Sequence, residues 1–236
     1  MGIRNYVALS IINVVLPFYM LQTHANTQRD FQTWLNLTAT GNFDRESKNF
    51  GQFKYWLEGQ ERFGDDSSRM SQTLARLGVG YMVTENLSLW LGYAWVYTEE
   101  PFTSNPFEEN RIWEQILWSK KYQTFSLTSR TRMEQRFMDN DTKAAFRLRQ
   151  MIKFVRPFAS APNFSFVTSD EVFWHHNDYR GGNGQGLDQN RYFIGLGYKF
   201  SPTFTTEAGY MNQYIRRFGV PNFLNDILSI NFILNF

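Results

Sequence analysis

The chain has 236 residues, with 24 Lys and Arg against 22 Asp and Glu, and it contains no cysteine. That length suits one β domain, a net charge of +2 is too small for a nucleic-acid binder, and disulfides and thiolate metal sites are excluded. Aromatic residues make up 18% of the chain, yet mean hydropathy is negative, which excludes a helical membrane protein and suits strands apolar only at alternate positions.

Residues 1–25 read as a cleaved export signal. Arg4 supplies the positive start, Val7 to Leu21 the apolar run, and Thr23-His-Ala25 a small-residue cleavage site before Asn26. The mature part, residues 26–236, is then one domain. Within it, residues 26–52 serve as a plug, a strap or a first strand: Asp30 to Thr40 alternates loosely and a polar link, Gly41 to Gln52, follows.

Strand patterns recur from there. Phe53 to Arg62 sets Phe53, Tyr55 and Leu57 against Lys54, Glu58, Gln60 and Arg62. Gln72 to Met82 sets Leu77, Val79 and Tyr81 against Arg76, Gly78 and Gly80. Leu87 to Thr98 is cleaner, with Leu87, Leu89, Leu91, Tyr93, Trp95 and Tyr97 on one side and Ser88, Gly92, Ala94 and Thr98 on the other. Ile112 to Trp118 is strand-like but apolar on both parities, so its faces stay unassigned.

Thr124 to Phe137 places Arg130, Arg132, Glu134 and Arg136 on one face, and Ala144 to Val155 does the same with Arg147, Arg149 and Lys153. Phe164 to Trp174 carries adjacent Asp170 and Glu171, which cannot both face inward in a regular strand. Gln189 to Phe200 puts Arg191 inward, and Phe204 to Tyr214 puts Glu207, Gly209 and Gln213 inward. The last stretch, Asp226 to Phe236, alternates Leu228, Ile230, Phe232, Leu234 and Phe236 against Ser229, Asn231 and Asn235.

From Tyr81 on, short turns and longer or more charged links take alternate connections, with Arg156 to Asn163 the one long link in the short series. Short periplasmic turns alternating with longer outer loops characterise bacterial outer-membrane barrels. The expectation is an all-β, antiparallel transmembrane barrel in a bacterial outer membrane, in contact with lipid and lipopolysaccharide. Its last strand, ending at Phe236, would engage the barrel-assembly machinery. Eleven strands can be counted, but such barrels normally have an even number. The expectation is therefore ten strands, starting at Phe53, or twelve.

Several strings carry a family resemblance: Arg111-Ile-Trp-Glu-Gln115, Ser129-Arg-Thr-Arg-Met-Glu-Gln-Arg-Phe137, Phe146-Arg-Leu-Arg149, Ser169-Asp-Glu-Val-Phe173 and Asp188-Gln-Asn-Arg-Tyr-Phe-Ile-Gly-Leu-Gly-Tyr198. In order and spacing the chain resembles the outer-membrane family catalogued as domain of unknown function 2490, from about Asp30 to the end. The resemblance implies an exported barrel and carries no activity.

Two groups of residues could do chemistry. Arg130, Arg132, Arg136, Arg147 and Arg149, joined by Arg191, form a dense positive wall, with Glu134, Glu58, Glu171 and Glu207 as partners. That wall suits a structural ion-pair network filling the lumen, or a narrow channel or ligand site for anions. The second group is Asp170, Glu171, His175, His176 and Asp178 at the outer rim, where histidines beside acids could serve an outer-membrane hydrolase. No nucleophile at a completing spacing accompanies them, and no metal site or cofactor is read from the chain. The acidic loop residues, such as Asp65, Asp66, Glu99, Glu100, Glu108 and Glu109, read as solvated surface.

Overall fold

The computed structural model describes residues 27–44, 51–177, 184–217 and 219–236, so the export signal expected over residues 1–25 lies outside the described residues. Eleven strands are described: β1 (Thr27–Asn42), β2 (Phe53–Gly64), β3 (Arg69–Thr84), β4 (Leu87–Thr98), β5 (Phe107–Lys121), β6 (Ser126–Met138), β7 (Ala145–Phe158), β8 (Ala161–His175), β9 (Gly186–Lys199), β10 (Phe204–Ile215) and β11 (Asn222–Asn235). They close into one barrel in which each strand pairs with its sequence neighbours, and β1 pairs with β11.

The expected ten or twelve strands are therefore corrected to eleven. The even count presupposed antiparallel closure. Here the seam between β1 and β11 is parallel, running in register from Thr27 opposite Asn222 to Thr40 opposite Asn235. A parallel seam lets an odd number of strands close. One side-chain and one backbone bond tie it at one end, where Thr40 Oγ1 donates to Asn235 Oδ1 at 2.8 Å and the Phe236 amide donates to the Thr40 carbonyl at 2.8 Å. Residues 27–42 are thus a stave of the wall.

Connections alternate more sharply than the sequence suggests. At the rim holding Asn235, residues 85–86, 122–125, 159–160 and 200–203 make turns, and residues 43–52 are the longer exception. At the other rim the links are residues 65–68, 99–106, 139–144, 176–185 and 216–221. The link expected over Arg156 to Asn163 shrinks to two residues because β7 and β8 extend into it across an irregular register step at Pro157.

Strand parity sorts the side chains. Leu37, Leu57, Leu77, Val79, Leu89, Leu91, Ile112, Ile116, Ile194, Leu196 and Leu228 lie exposed on the outer face. Glu58, Arg76, Gln115, Arg132, Glu134, Arg149, Glu171 and Glu207 lie buried on the inner face. This inverts the usual order of a water-soluble protein, whose buried surface is apolar. An aromatic belt rings the turn-bearing rim. Its contacts include Phe53–Tyr81 at 5.2 Å, Tyr122–Phe125 at 4.6 Å, Phe125–Phe154 at 5.4 Å, Phe164–Tyr198 at 4.6 Å and Phe200–Phe204 at 5.0 Å. Phe137, Phe146 and Trp174 stand exposed near the opposite ends of their strands.

Inside, three indoles occupy space that β3 and β4 leave open. Trp56 meets Trp90 edge-on at 5.5 Å and Trp113 at 6.4 Å. The Trp113 ring lies on Gly78 and Gly92, and the Trp90 ring on Gly80. A Cβ on Gly92 would collide with both the Leu77 carbonyl and the Trp113 ring. Gly92→Ala should therefore lower stability by about 1–3 kcal/mol, the usual cost of overpacking, read as an earlier urea midpoint of the purified barrel. An unchanged midpoint would show that the indole is free to shift.

Candidate functional site

The lumen is built by the inner parity of each strand, and its charges are arranged around five carboxylates. Glu134, fully buried, accepts from Arg147 Nε at 3.0 Å and Nη2 at 2.5 Å and from Arg149 Nη1 at 2.7 Å, with Arg76 Nη2 at 3.9 Å. Glu171 accepts from Arg149 Nε and Nη2 at 2.9 and 3.0 Å and from Arg130 Nη2 at 2.8 Å. Glu109 accepts from Arg111 Nε at 2.6 Å and Nη2 at 2.9 Å, and from Arg136 Nη2 at 3.0 Å. Glu58 holds Arg76 Nη1 at 2.7 Å and the Trp56 indole at 2.9 Å. Glu207 takes both its bonds, each 2.7 Å, from Lys153 Nζ. Charge-assisted bonds of this geometry are strong, and each carboxylate offsets part of the cost of burying the cations around it.

Three lumen arginines end differently, on amides and rings. Arg62 donates to Gln72 Oε1 at 2.6 Å and Gln60 Oε1 at 2.7 Å, and lies 3.9 Å over the Trp34 ring. Arg132, fully buried, donates to Gln115 Oε1 at 2.9 and 2.6 Å and lies 4.6 Å over Trp113. Arg191 lies 4.8 Å from Trp34 and 4.7 Å from Phe173. With the Gln189 amide turned to satisfy its neighbours, Arg191 donates to its oxygen from Nε at 2.7 Å and Nη2 at 2.9 Å, and Gln213 Nε2 donates to the same oxygen at 2.7 Å. Glu171 stands opposite Arg191 in register, but Arg149 and Arg130 occupy it.

Two cavities meet inside the barrel. One, of about 810 Å³, extends toward the turn-bearing rim and includes Lys54, Lys121, Arg130, Lys153 and Glu207 in its wall. The other, of about 570 Å³, extends toward the opposite rim and includes Arg111, Arg136, Arg147, Arg216 and Arg217. Trp34, Gln60, Arg62, Arg76, Arg149 and Arg191 line both, so they form the waist between them.

The residues expected as a positive wall come together in this lumen. Arg132 and Arg149 are direct cross-strand partners, as are Glu134 and Arg147. The rim group separates. Glu171 faces the lumen, while Asp170 faces outward and accepts from Asn190 Nδ2 at 2.6 Å. His175 is buried with its Nε2 2.9 Å from Asp188 Oδ2, and His176 sits on the following loop with its amide on the Phe146 carbonyl. Asp178 lies outside the described residues.

Sequence reading missed Glu109, Arg111, Arg62 and Trp34. Glu109, read as a solvated acid of the loop before β5, is instead buried, because β5 already begins at Phe107 and its parity turns Glu109 inward onto Arg111 and Arg136. Arg111 was concealed by the ambiguous faces of the same strand. Carrying their parity forward to Trp113 and Gln115 would have revealed them.

A family model described as a protein of unknown function (DUF2490) matches residues 31–223. An uncharacterized protein of Methylorubrum extorquens is 32% identical over 214 residues, which span 90% of each chain.

Proposed function

Because the chain belongs to the DUF2490 family, whose description assigns no activity, its role must be read from its own wall and lumen, and we propose an outer-membrane barrel that admits small anions. The observation that carries this reading is the inverted polarity: an exposed apolar wall with aromatic residues near its rims encloses a buried charged interior. A wall of that kind is what hydrocarbon requires, and water does not. The direction of selectivity follows from the lumen charges. Among the described residues, seven lumen cations pair with five carboxylates and three more arginines pair with none, so the interior potential favours anions.

In this reading the turn-bearing rim faces the periplasm, and the strand ending at Phe236 is the one offered to the assembly machinery. Lipid and lipopolysaccharide are the surroundings of the outer wall. The rim histidines support a hydrolase less well. His175 and Asp188 supply a base and its orienting acid, but Asp170 points to the opposite face of the wall.

The test is reconstitution of the purified protein into planar bilayers under a KCl gradient. The reversal potential should be displaced toward that of chloride. A barrel that is electrically silent, or one selective for potassium, would overturn the proposal.

A further inference from the structure

Arg62 and Arg191 stand apart from the other cations of the lumen. They are held in place by groups that do not cancel their charge. Gln60 and Gln72 orient the first, and the Gln189 carbonyl, itself held by Gln213, the second. The Trp34 ring centroid lies 3.9 and 4.8 Å from the two guanidinium carbons, and Phe173 flanks Arg191. A ring face attracts a cation but leaves it a full positive charge, and an amide oxygen contributes only a dipole.

Register explains how the pair is assembled. Arg62 lies directly opposite Trp34 across β1 and β2. Arg191 reaches the same ring from β9, on the far side of the parallel seam. Arg132 has a similar ring-and-amide environment, but it is sealed behind the wall and lines neither cavity. Arg62 and Arg191 line both cavities, and Arg62 Nε has no acceptor among the described residues.

We infer that Arg62 and Arg191 form a binding site at the waist of the lumen for a small dianionic oxyanion, of the phosphate or dicarboxylate class. The inference deepens the anion-admitting reading and rests on it. Two like charges gathered on one ring repel each other while the site is empty. A dianion relieves that repulsion for both, whereas a monocarboxylate neutralises only one. Guanidiniums also present paired donors, matched to the oxygens of phosphate and carboxylate. The two cavities leave room on either side for the remainder of a larger solute. Arg76 and Arg149, the other cations of the waist, are already committed to Glu58, Glu134 and Glu171.

The test is calorimetric titration of the whole purified protein in detergent micelles, with inorganic phosphate, malonate and acetate as probes. At least one of the two dianions should bind about tenfold or more tightly than acetate. Arg62→Gln and Arg191→Gln should each weaken that dianion by about tenfold or more, as expected when one partner of a charge-assisted pair is removed. Lys54→Gln, in the larger cavity away from the waist, should leave it within about twofold. Arg62→Lys and Arg191→Lys keep the charge and should retain measurable binding, which guards against variants that fail to fold.

Equal affinity for acetate and the dianions would overturn the site. So would wild-type affinity in both glutamine variants, or an equal loss in Lys54→Gln. The two readings fail separately. A wild-type barrel that is anion-selective in bilayers yet binds neither dianion loses the waist site alone. A barrel without anion selectivity loses the lumen reading whatever the calorimetry shows.

Discussion

Replacing Glu134 by alanine should cost the folded barrel about 3–5 kcal/mol, the range seen when one member of a buried ion-pair network is removed. Glu134 has no exposed surface and is the acceptor for Arg147 and Arg149, with Arg76 close by. Its loss takes from Arg147 its one carboxylate among the described residues and leaves Arg149 and Arg76 with Glu171 and Glu58 alone. Glu134→Gln keeps one acceptor oxygen and should fall between wild type and alanine. The readout is the urea midpoint of the barrel in lipid vesicles, followed by tryptophan fluorescence. The seven indoles of the chain include Trp113 and Trp56, both packed near this network. A midpoint unchanged in the alanine variant would mean that water or a bound anion already satisfies the cluster.

The second expectation concerns the outer wall. Leu91 is 59% exposed near the middle of β4, flanked by Leu89 and Tyr93 on the same face. If that face meets hydrocarbon, Leu91→Arg should destabilise the barrel by about 2–4 kcal/mol, the cost of a guanidinium near the bilayer midplane. If it meets water, the same substitution should be nearly neutral and should improve solubility. Refolding both proteins into vesicles and comparing their midpoints separates the outcomes. A neutral result would remove the membrane from the proposed function while leaving the lumen chemistry intact.

How much of this was legible in the sequence depended on contrast between the two faces of a strand. Leu87 to Thr98 and Asp226 to Phe236 could be read because large apolar residues alternate with mostly small or polar ones; β4 keeps those limits, while β11 begins four residues earlier, at Asn222. Ile112 to Trp118 could not, because Trp113 and Leu117 are apolar residues packed inside the lumen, opposite Ile112 and Ile116 on the outside. Side-chain alternation was silent about closure. A strand shows the same faces whether its neighbour is parallel or antiparallel, so the eleventh strand read as a surplus.

The candidate site was legible in part for a related reason. Arg130 to Arg136 and Arg147 to Arg149 announce themselves as runs on adjacent strands. The waist does not: Trp34, Arg62 and Arg191 come from β1, β2 and β9, and only the closed wall brings them to one ring. Two of those strands flank the seam or adjoin it, where the sequence offered no pairing rule.

The parallel seam also has a mechanical meaning. Every other pair of neighbouring strands is stitched at one rim by a link of the chain; β1 and β11 are not. Parallel ladders are held by slanted bonds and are slightly weaker per residue than antiparallel ones. Because the two strands run the same way, the seam meets each rim without a turn: at Thr27 beside Asn222, and at Asn235, held there by its bond to Thr40. Under load the wall can therefore be peeled from either rim along the same line, without breaking a turn. Trp34 and Ser229 lie side by side on that line, so the ring supporting Arg62 and Arg191 sits on the tear line of the molecule.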